Sequence, residues 1–368
     1  MSTKTGDTKA CLPCLAVCAT FGVKWTMIIT QTPLRISFLG GGTDYPEYFE
    51  SHGGAVLGTA VDKFAFLSMS RFQSALFDYA IRISYRQVEC VKALDEIQHA
   101  PFRECLRWAG VSQDVEVHYA AELPALTGLG SSSSFVVGLL NTIYAFQGRL
   151  IPALELAYEA IEIERKVLGE SVGCQDQTFA AVGGFNVIEF RGWNNFTVHR
   201  IPFSQDRLEE FEEHMLVFFT GIRRRAEELA ARQVKRVQQN ADHLLAMRRM
   251  VDDGFRILVS PGSLAPFGAL LHEAWLHKRQ LDPGISNDAV DRIYEEGMAA
   301  GALGGKLLGA GGGGFMLFFV PPERKDAVRQ RLSHLTEIQF RTCAPGTYVV
   351  HAGTGQSTTS RRRQQQAA

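Results

Sequence analysis

The sequence has almost no net charge, which limits the kinds of partner it can bind. Its 38 Lys and Arg residues nearly balance its 39 Asp and Glu residues, and the formal net charge at pH 7 is −1. Domains that bind nucleic acid or an anionic membrane surface usually carry a basic field that attracts phosphate groups. The composition therefore predicts a protein with no nucleic-acid or membrane partner.

Long apolar runs are also missing. No stretch reaches the roughly 18 consecutive apolar residues of a helix that spans a membrane. The chain is instead 46% hydrophobic and 21% charged over 368 residues. This composition is typical of globular proteins, and the length is enough for two domains with their own cores.

Cysteines are few, with seven in the whole chain. An odd number of scattered cysteines does not form the paired framework of a small secreted protein, so it favours a reducing, cytoplasmic compartment. Cys11 and Cys14 form a C-x-x-C pair, but no second pair and no βαβ pattern follows. This spacing therefore favours neither a metal site nor redox chemistry.

The first 26 residues differ from the rest of the chain. Two lysines precede a short apolar stretch at 11–25, as in a secretory signal, but Pro13 interrupts it and the cleavage site is poor. We interpret residues 1–26 as an extension without a fold. Regular patterning begins at Met27, which is the expected functional start.

Strands and helices alternate beyond Met27, which predicts an α+β chain without internal repeats. The expected strands are 34–39, 58–70, 81–91, 115–120, 185–190, 196–201, 215–220, 314–320 and 346–352. The expected helices are 132–147, 153–168, 224–250, 264–280 and 287–301. Pro202 and a charged run near 202–210 separate two mixed halves, so we expect domains at 27–203 and 204–353. Residues 354–368 are polar, as in a disordered tail.

The stretch LTGLGSSSSF at 126–135 places two glycines and four serines before a strongly apolar run. One serine would be enough to cap a helix that begins here. A glycine-shaped loop also lets a ligand approach the backbone, and the N–H groups at a helix N-terminus bind anions such as phosphate. The stretch is therefore either a capped helix start or a phosphate-binding loop.

Glu164 is an acidic residue on the apolar face of an amphipathic helix. With 100° between successive residues, the apolar side chains of 153–168 form one arc, and Glu164 falls in the middle of it. A carboxylate that faces inward must be paired, hydrogen-bonded or bound to a metal. Glu164 is therefore either half of a structural ion pair or an oxygen ligand for a Mg²⁺ that bridges nucleotide phosphates.

Asp176 lies between two glutamines in the stretch GCQDQTF, which has the composition of a turn. Turn aspartates usually bond to nearby backbone groups. Beside a bound phosphoryl group and metal, however, the carboxylate could orient or deprotonate an attacking hydroxyl.

Two more stretches are rich in glycine, FLGGGTDY at 38–45 and KLLGAGGGGFML at 306–317. The four successive glycines 311–314 exceed what a turn needs and indicate close approach of the backbone to a ligand. Neither stretch has the spacing of a Walker A loop or of a dinucleotide-binding turn. A phosphate site in this chain would therefore be of another type.

Four stretches resemble, in order and spacing, the motifs of the GHMP small-molecule kinases, the superfamily of galactokinase, homoserine kinase, mevalonate kinase and phosphomevalonate kinase. They are TPLRISFLGGGTDY, LPALTGLGSSSSF, IERKVLGESVGCQDQ and KLLGAGGGGFML. The similarity runs from about Met27 to Gly353. Within the superfamily, the glycine triplet 40–42 and the stretches 219–226, 271–287 and 301–315 look most like D-glycero-D-manno-heptose 7-phosphate kinases.

The resemblance implies a two-domain kinase that uses ATP and Mg²⁺, with its active site in the cleft between the domains. Asp176 matches the catalytic base of the family, and Arg35 matches a cation near the reacting hydroxyl. Ser132 and Glu164 match the Mg²⁺ ligands. The loop that would wrap the ATP phosphates comprises Gly128, Leu129, Gly130, Ser131, Ser132, Ser133 and Ser134. Arg35 also suits its role by pattern, since it lies on the polar face of its strand.

The resemblance also suggests how the acceptor is bound. Asp44 matches a residue that accepts a sugar hydroxyl in galactokinases, but Gly41 and Gly42 replace the Glu-His pair of that family. This difference counts against galactose and leaves room for a bulkier sugar. The further substrate contacts expected are Thr43, Gly312 and Gly313, with Arg224 or Lys278 as the cation for a substrate phosphate. For each basic residue the alternative is a solvated helix charge.

We therefore expect an ATP-dependent kinase that phosphorylates the anomeric hydroxyl of a heptose 7-phosphate, in the supply of activated heptose for surface polysaccharide. The alternatives are a kinase of another sugar or sugar phosphate, similar to galactokinase or fucokinase, and a catalytically silent sugar-binding member of the fold. A homodimer is left open.

Two competing motifs are rejected. GESVG at 169–173 has the spacing of a serine-hydrolase elbow around Ser171, but such an elbow follows a strand, and here a helix precedes it. His272 and His277 are five residues apart, about 140° around a helix, so they cannot easily share a metal.

Overall fold

The computed structural model describes residues 25–124, 128–222 and 227–354. The chain is α+β, as predicted, and its twelve described strands form two sheets. The strands are β1 Trp25–Leu39, β2 Gly54–Arg71, β3 Ile81–Ser84, β4 Val88–Val91, β5 Val115–Ala121, β6 Phe185–Phe190, β7 Phe196–Arg200, β8 Met215–Phe219, β9 Gly304–Leu307, β10 Phe315–Phe319, β11 Thr336–Glu337 and β12 Tyr348–Thr354.

Eleven α-helices occur in the described part of the chain. They are α1 Pro46–His52, α2 Ala100–Trp108, α3 Ser131–Phe146, α4 Ala153–Glu162, α5 Gln175–Val182, α6 Gln205–Glu213, α7 Glu227–Lys235, α8 Ala241–Val259, α9 Ala265–Leu281, α10 Asp288–Ala299 and α11 Lys325–Arg331. A π-helical turn, Ile163–Val167, continues α4. Among the described residues, no helix is both long and apolar enough to cross a membrane.

The larger sheet follows the order β12-β1-β2-β5-β3-β4, and β6 joins it by pairing with β2 and β7. Its pairs are antiparallel except for the parallel pair β3–β5. The smaller sheet, β11-β8-β10-β9, is antiparallel throughout. The last strand thus returns to the first sheet, although the sequence prediction grouped it with the second half. The domain boundary near 203 stays a prediction.

Strand β1 changes its register at Pro33, just before the predicted site residues. Pro33 lies opposite Phe64, but Leu34 lies opposite Val61, so β2 has two extra residues there. Proline lacks the N–H that a regular ladder needs and is typical of such irregularities. The shift separates the part of β2 that pairs with β5 from the part that pairs with β6.

The second half of β1 is buried on both faces. The predicted alternation is correct for Leu34, Ile36 and Phe38, which are buried in the apolar core. Phe38 packs against rings from α6 and α9, so this core joins the two halves of the chain. The opposite face is polar as predicted, but it too is buried, because the site helices cover it.

Several predicted boundaries are wrong for local reasons. Residues 81–91 form a hairpin of two short strands, and the described part of 224–250 contains two helices separated near 236–240. The stretch around Asp176, expected to be a turn, starts helix α5.

The predicted ends of the folded chain also shift. Strand β1 begins at Trp25, two residues inside the expected extension, and Trp25 pairs with Thr354 of β12. The rest of the extension, 1–24, and the tail 355–368 lie outside the described residues. The described cysteines are all free.

Candidate active site

The serine-rich loop and the glycine-rich loop contact each other directly. A Cβ on Gly128 would lie 2.6 Å from the carbonyl oxygen of Leu308, and one on Gly309 would lie 2.4 Å from the Cα of Gly128. The side chain of Leu129 is buried, and its carbonyl accepts the backbone N–H of Arg35 at 3.1 Å. Glycine is needed at 128 and 309 because the two loops pack backbone to backbone.

Helix α3 begins without a side-chain cap, although four serines form its first turn. The N-cap is Gly130 in the left-handed region, with φ 74°, and no side chain bonds to the first N–H groups. Two of the serine hydroxyls bind elsewhere, and that of Ser134 donates to the carbonyl of Pro33 at 2.8 Å. The capping interpretation is therefore not supported, and the uncapped N–H groups suit an anion.

Glu164 is fully buried, as its place on the apolar arc predicts. The hydroxyl of Ser133 donates to its two carboxylate oxygens at 3.1 and 3.0 Å, and Nε2 of Gln177 donates to Oε2. The neighbouring Ser132, the expected metal ligand, is exposed. The structure thus brings Ser133, and not Ser132, against the carboxylate, so the Ser132 role stays a prediction.

No cation neutralises Glu164 within the described residues, which removes the structural ion pair from consideration there. Burial raises the pKa of the Glu164 carboxyl to about 8, despite the opposing hydrogen bond from Gln177. A buried carboxylate without a counter-ion is costly in free energy. A bound cation would relieve that cost.

Asp176 and Arg35 form a bidentate ion pair. Nε and Nη2 of Arg35 lie 2.7 and 2.8 Å from the two carboxylate oxygens, and Nη1 donates to the carbonyl of Gly128 at 2.8 Å. Arg35 is 5% exposed, whereas the Asp176 side chain keeps 25% of its surface accessible. A Cβ on Gly130 would come within 3.2 Å of Asp176. The two predicted catalytic residues thus meet beside the start of helix α3.

Asp44 is buried next to this pair. Its carboxylate accepts the N–H groups of Gly42 at 2.9 Å and of Gln175 at 3.3 Å. Burial raises the pKa of Asp44, and the negative charge of Asp176 raises it further. The predicted sugar-binding carboxylate and the predicted base therefore share one electrostatic environment.

Thr43 does not fit the substrate role expected for it. Its hydroxyl is fully buried and donates to the carbonyls of Gly40 and Ala55, each at 2.8 Å. It also accepts the N–H of Ala55 at 3.1 Å. Because backbone groups occupy this hydroxyl, Thr43 shapes the turn, which counts against a contact of the hydroxyl with substrate. The expected substrate contact stays a prediction.

The glycines at 311–314 approach the protein's own backbone. The N–H of Gly312 donates to the carbonyl of Ile285 at 2.8 Å, and a Cβ on Gly313 would lie 2.6 Å from the Ile222 side chain. The number of glycines is thus explained by close packing within the chain. Substrate contacts from Gly312 and Gly313 stay predictions.

Lys278 is buried and is not a solvated helix charge. Its Nζ donates to the carbonyls of Leu307 and Gly309 at 2.9 and 2.5 Å. Burial lowers the pKa of Lys278 to about 7, and the positive charge of Arg35 lowers it further. Lys278 therefore supports the glycine-rich loop, which counts against its expected contact with a substrate phosphate.

Lys306 was missed as a site residue. It is buried, and its Nζ donates to the carbonyls of Ser37 and Phe38 at 2.9 and 2.7 Å, so it links the second sheet to the end of β1. Burial holds the pKa of Lys306 well below its usual range. A lysine directly before an apolar run was the only signal in the sequence. Arg224 lies outside the described residues.

The rejected motifs stay rejected on geometry. A π-helical turn and a loop, and no strand, precede Ser171. Nδ1 of His272 lies 2.6 Å from the Tyr294 hydroxyl, whereas His277 faces His243 on helix α8. The two histidines of α9 thus have different partners.

Two family models match the chain, the GHMP kinases N terminal domain over residues 88–184 and the GHMP kinases C terminal domain over 255–336. A D-glycero-alpha-D-manno-heptose 7-phosphate kinase from Campylobacter jejuni is 30% identical over 328 residues, which cover 85% of this chain and 96% of that protein. An L-fucokinase/L-fucose-1-P guanylyltransferase from Bacteroides fragilis is 26% identical over 82% of this chain and 35% of that protein.

A solved structure is similar as well. A D-glycero-D-manno-heptose 1-phosphate kinase from Bacteriodes thetaiotaomicron superposes with a TM-score of 0.73 at 23% identity, covering 88% of this chain and 99% of the other. At that identity the similarity concerns the fold.

Proposed function

Since the chain belongs to the GHMP kinases and is an ATP-dependent sugar kinase, we propose that it phosphorylates the anomeric hydroxyl of D-glycero-D-manno-heptose 7-phosphate to the 1,7-bisphosphate. The product would supply activated heptose for surface polysaccharide. The observation that carries the proposal is the Arg35–Asp176 pair at the start of helix α3. The pair lies beside helix N–H groups that have no side-chain cap, which supports a carboxylate base next to a bound phosphate.

Asp176 is the proposed base. Its carboxylate would accept the proton of the anomeric hydroxyl while that oxygen bonds to the γ-phosphorus and the bond from phosphorus to ADP breaks. Arg35 would hold Asp176 in place and offset negative charge near the transferring group. The accessible quarter of the Asp176 surface is the route by which the hydroxyl reaches it.

The loop from Gly128 to Ser134 is the proposed phosphate cradle. The uncapped N–H groups at the start of α3 and its helix dipole favour the negative ATP phosphates. The contact of this loop with Gly309 fixes its shape from the side of the second sheet. The cleft between the two halves would thus open onto the phosphates.

Mg²⁺ fits the chemistry around Glu164. The side chain offers two hard oxygen donors, is buried without a counter-ion in the described structure, and lies against a serine hydroxyl. No cluster of three or more His, Cys, Asp or Glu side chains suited to a metal occurs among the described residues. The ion would therefore take its other ligands from phosphate oxygens and water, with Ser132 or Ser133, and would neutralise phosphate charge.

The 7-phosphate needs its own cation. Lys278 is bonded to backbone carbonyls, which leaves Arg224 and its neighbours as the proposed binding group. Arginine is suited to this task because its planar guanidinium forms paired hydrogen bonds to phosphate oxygens.

A sugar panel tests the proposal. The purified chain is assayed with ATP and Mg²⁺ on heptose 7-phosphate, free heptose, mannose, galactose and L-fucose, and phosphorus NMR identifies an anomeric phosphate in the product. We expect kcat/KM for heptose 7-phosphate to exceed that for free heptose by at least about tenfold, the value of one charge-assisted contact. Equal values would overturn the 7-phosphate assignment.

L-fucose is the second candidate acceptor, favoured by the similarity to the Bacteroides fragilis fucokinase. A preference for fucose in the panel would replace heptose. If no sugar stimulated ATP consumption, the chain would be a silent sugar-binding member of the family. The cytoplasmic location and a homodimer stay predictions.

A further inference from the structure

Lys278 places a charge inside the protein at the end of helix α9. It lies in the last turn of the helix and is 7% exposed. Its hydrogen-bond partners within the described residues are two backbone carbonyls, those of Leu307 and Gly309. A buried ammonium group is costly in free energy, and an apolar side chain of similar length would pack there without that cost. This lysine therefore requires an explanation other than packing.

The two carbonyls lie on either side of Leu308. Leu307 ends strand β9, and Gly309 is in the left-handed region with φ 71°, so the chain leaves the sheet between them. Leu308 itself is fully buried. Because one ammonium group bonds to the carbonyls before and after Leu308, it restricts the orientation of both peptide groups. Lys278 thus fixes the start of the glycine-rich loop, 308–314.

The serine-rich loop packs on this part of the glycine-rich loop. A Cβ on Gly128 would lie 2.6 Å from the carbonyl oxygen of Leu308 and 3.3 Å from the Cα of Gly309. The side chains of Leu129 and Leu308 are buried in the same apolar core. Since the contact leaves no room between the two backbones, a movement of Leu308 would displace Gly128.

The serine-rich loop in turn holds Arg35. The carbonyl of Gly128 accepts Nη1 of Arg35 at 2.8 Å, and that of Leu129 accepts its backbone N–H at 3.1 Å. Arg35 then forms the bidentate pair with Asp176. Burial lowers the pKa of Lys278, and the positive charge of Arg35 lowers it further, so the two cations lie within electrostatic range. A continuous set of contacts therefore runs from α9 to the proposed base.

We propose that Lys278 is a positioning residue of the kinase, which holds the start of the glycine-rich loop and so keeps the serine-rich loop in the shape that binds the ATP phosphates. The inference rests on the proposed function and deepens it. In this role Lys278 touches neither substrate and acts through Leu308 and Gly128. It therefore belongs to the nucleotide side of the site, whereas the sequence predicted a contact with a substrate phosphate.

The first test is nucleotide affinity in Lys278→Met, which keeps the length of the side chain but leaves both carbonyls without their donor. Calorimetry measures Kd for a non-hydrolysable ATP analogue with Mg²⁺, and separately Kd for the acceptor. We expect the nucleotide Kd to rise by about tenfold, the value of one charge-assisted hydrogen bond. Acceptor Kd should stay within about twofold of wild type. Lys278→Arg keeps the charge and the N–H donors and should recover most of the nucleotide affinity.

The matched control is Lys325→Met on helix α11. Lys325 also donates to a backbone carbonyl, that of Glu213 at 2.8 Å, but this carbonyl belongs to neither loop. Lys325→Met should therefore leave the Kd values for nucleotide and acceptor unchanged. A loss of nucleotide affinity as large as that of Lys278→Met would show a general effect on the fold and would overturn the proposal.

Gly309→Ala disturbs the same contact from the other side. A Cβ at Gly309 would lie 2.4 Å from the Cα of Gly128, and the positive φ adds strain, so nucleotide affinity should fall while the lysine is intact. If both residues act through this contact, Lys278→Met in the Gly309→Ala background should raise the nucleotide Kd by less than about twofold further. Additive losses would overturn the proposal.

Three other outcomes separate this inference from its alternatives. Unchanged nucleotide affinity in Lys278→Met and Gly309→Ala would overturn the positioning role even if the wild type phosphorylates heptose 7-phosphate. Loss of the preference for a phosphorylated sugar, with nucleotide affinity unchanged, would assign Lys278 to the substrate phosphate. Nucleotide binding that depends on Lys278, in a wild type that phosphorylates no sugar of the panel, would refute only the proposed function. If Lys278→Met does not fold, Lys278→Gln, which keeps an uncharged N–H donor, replaces it in the same measurements.

Discussion

The two ends of the candidate site differ in how their polar groups are satisfied. At the phosphate end, Ser133 and Gln177 bond to the buried carboxylate of Glu164. At the proposed acceptor end, the buried carboxylate of Asp44 accepts the backbone N–H groups of Gly42 and Gln175. Side-chain donors thus hold the first carboxylate, and backbone donors hold the second. Since different residues supply the donors, we expect substitutions at one end to leave the other end unchanged.

Removing the charge of Asp176, between the two ends, should have the largest effect. Asp176→Asn keeps the shape but cannot take the proton, so kcat should fall by roughly 10²-fold or more while KM for ATP changes little. The control is Glu162→Gln, a partly exposed carboxylate that pairs with Lys166. It should retain wild-type kcat. Wild-type turnover in Asp176→Asn would remove this residue from the mechanism.

When no metal is bound, Glu164 should make the stability of the fold depend on pH. A carboxyl whose pKa is raised to about 8 stabilises the fold below its ordinary value of 4.5, and that stability is lost as the pH rises through 8. From pH 5 to pH 7 the free energy of unfolding of the wild type should therefore fall by roughly 2 to 3 kcal/mol relative to that of Glu164→Gln. Urea unfolding of both proteins in EDTA measures the difference.

Lys278 should make the free energy of unfolding change with pH in the opposite direction and over a higher pH range. Its pKa is lowered to about 7 from 10.5, so the cost of keeping it in the fold decreases as the pH rises from 7 towards 10. Lys278→Met should make the free energy of unfolding less dependent on pH between 7 and 10 and leave its pH dependence between 5 and 7 unchanged.

The Glu164 prediction has its own contradicting outcome. If the difference in stability between wild type and Glu164→Gln did not depend on pH, Glu164 would not be a buried carboxyl without a counter-ion.

Glu164→Gln should also raise the Mg²⁺ concentration at half-maximal activity, by roughly tenfold, because a hard anionic ligand is lost. A magnesium titration at saturating ATP and sugar measures this shift. Acceptor Kd should stay at the wild-type value if the two ends are independent. An unchanged magnesium requirement would exclude Glu164 as a ligand.

The smallest effect is expected for Ser132→Ala or Ser133→Ala. We expect one of them to raise the Mg²⁺ concentration at half-maximal activity by a few-fold. The resemblance to the family predicts a shift for Ser132, whereas the contact in the structure favours Ser133. Loss of one neutral oxygen ligand should cost less than loss of the carboxylate. The serine whose removal shifts the titration is the ligand, and no shift in either would leave both out of the metal site.

Much of the phosphate end could be predicted from the chain. The arc of 153–168 placed Glu164 inward, and the glycines and serines before an apolar run predicted the loop and helix at 128–146. These features are local, because helix periodicity and glycine conformations depend on residues a few positions apart. Two of the family motifs, LPALTGLGSSSSF and IERKVLGESVGCQDQ, contain these same residues.

The acceptor end could not be predicted in the same way. Asp176 was expected in a turn but starts α5, since the surrounding core stabilises a short helix that its propensity alone would not. Thr43 was expected to face substrate but bonds to backbone groups 3 and 12 residues away. The contact between Lys306 and Ser37 was not predicted, because the two residues are 269 positions apart in the sequence.

The sequence by itself determined the family, the α+β class and the apolar face that buries Glu164, and it singled out Asp176 and Arg35, which pair in the structure. Only the tertiary structure decided which polar side chains have hydrogen-bond partners within the protein and which do not. It engages Lys278 and Thr43 with backbone carbonyls and bonds Ser133 to Glu164. Among the described residues it leaves Oγ of Ser37 and Oε1 of both Gln175 and Gln177 without a hydrogen-bond partner. The physical reason is that hydrogen-bond satisfaction depends on distances between segments far apart in the chain, which no local pattern encodes.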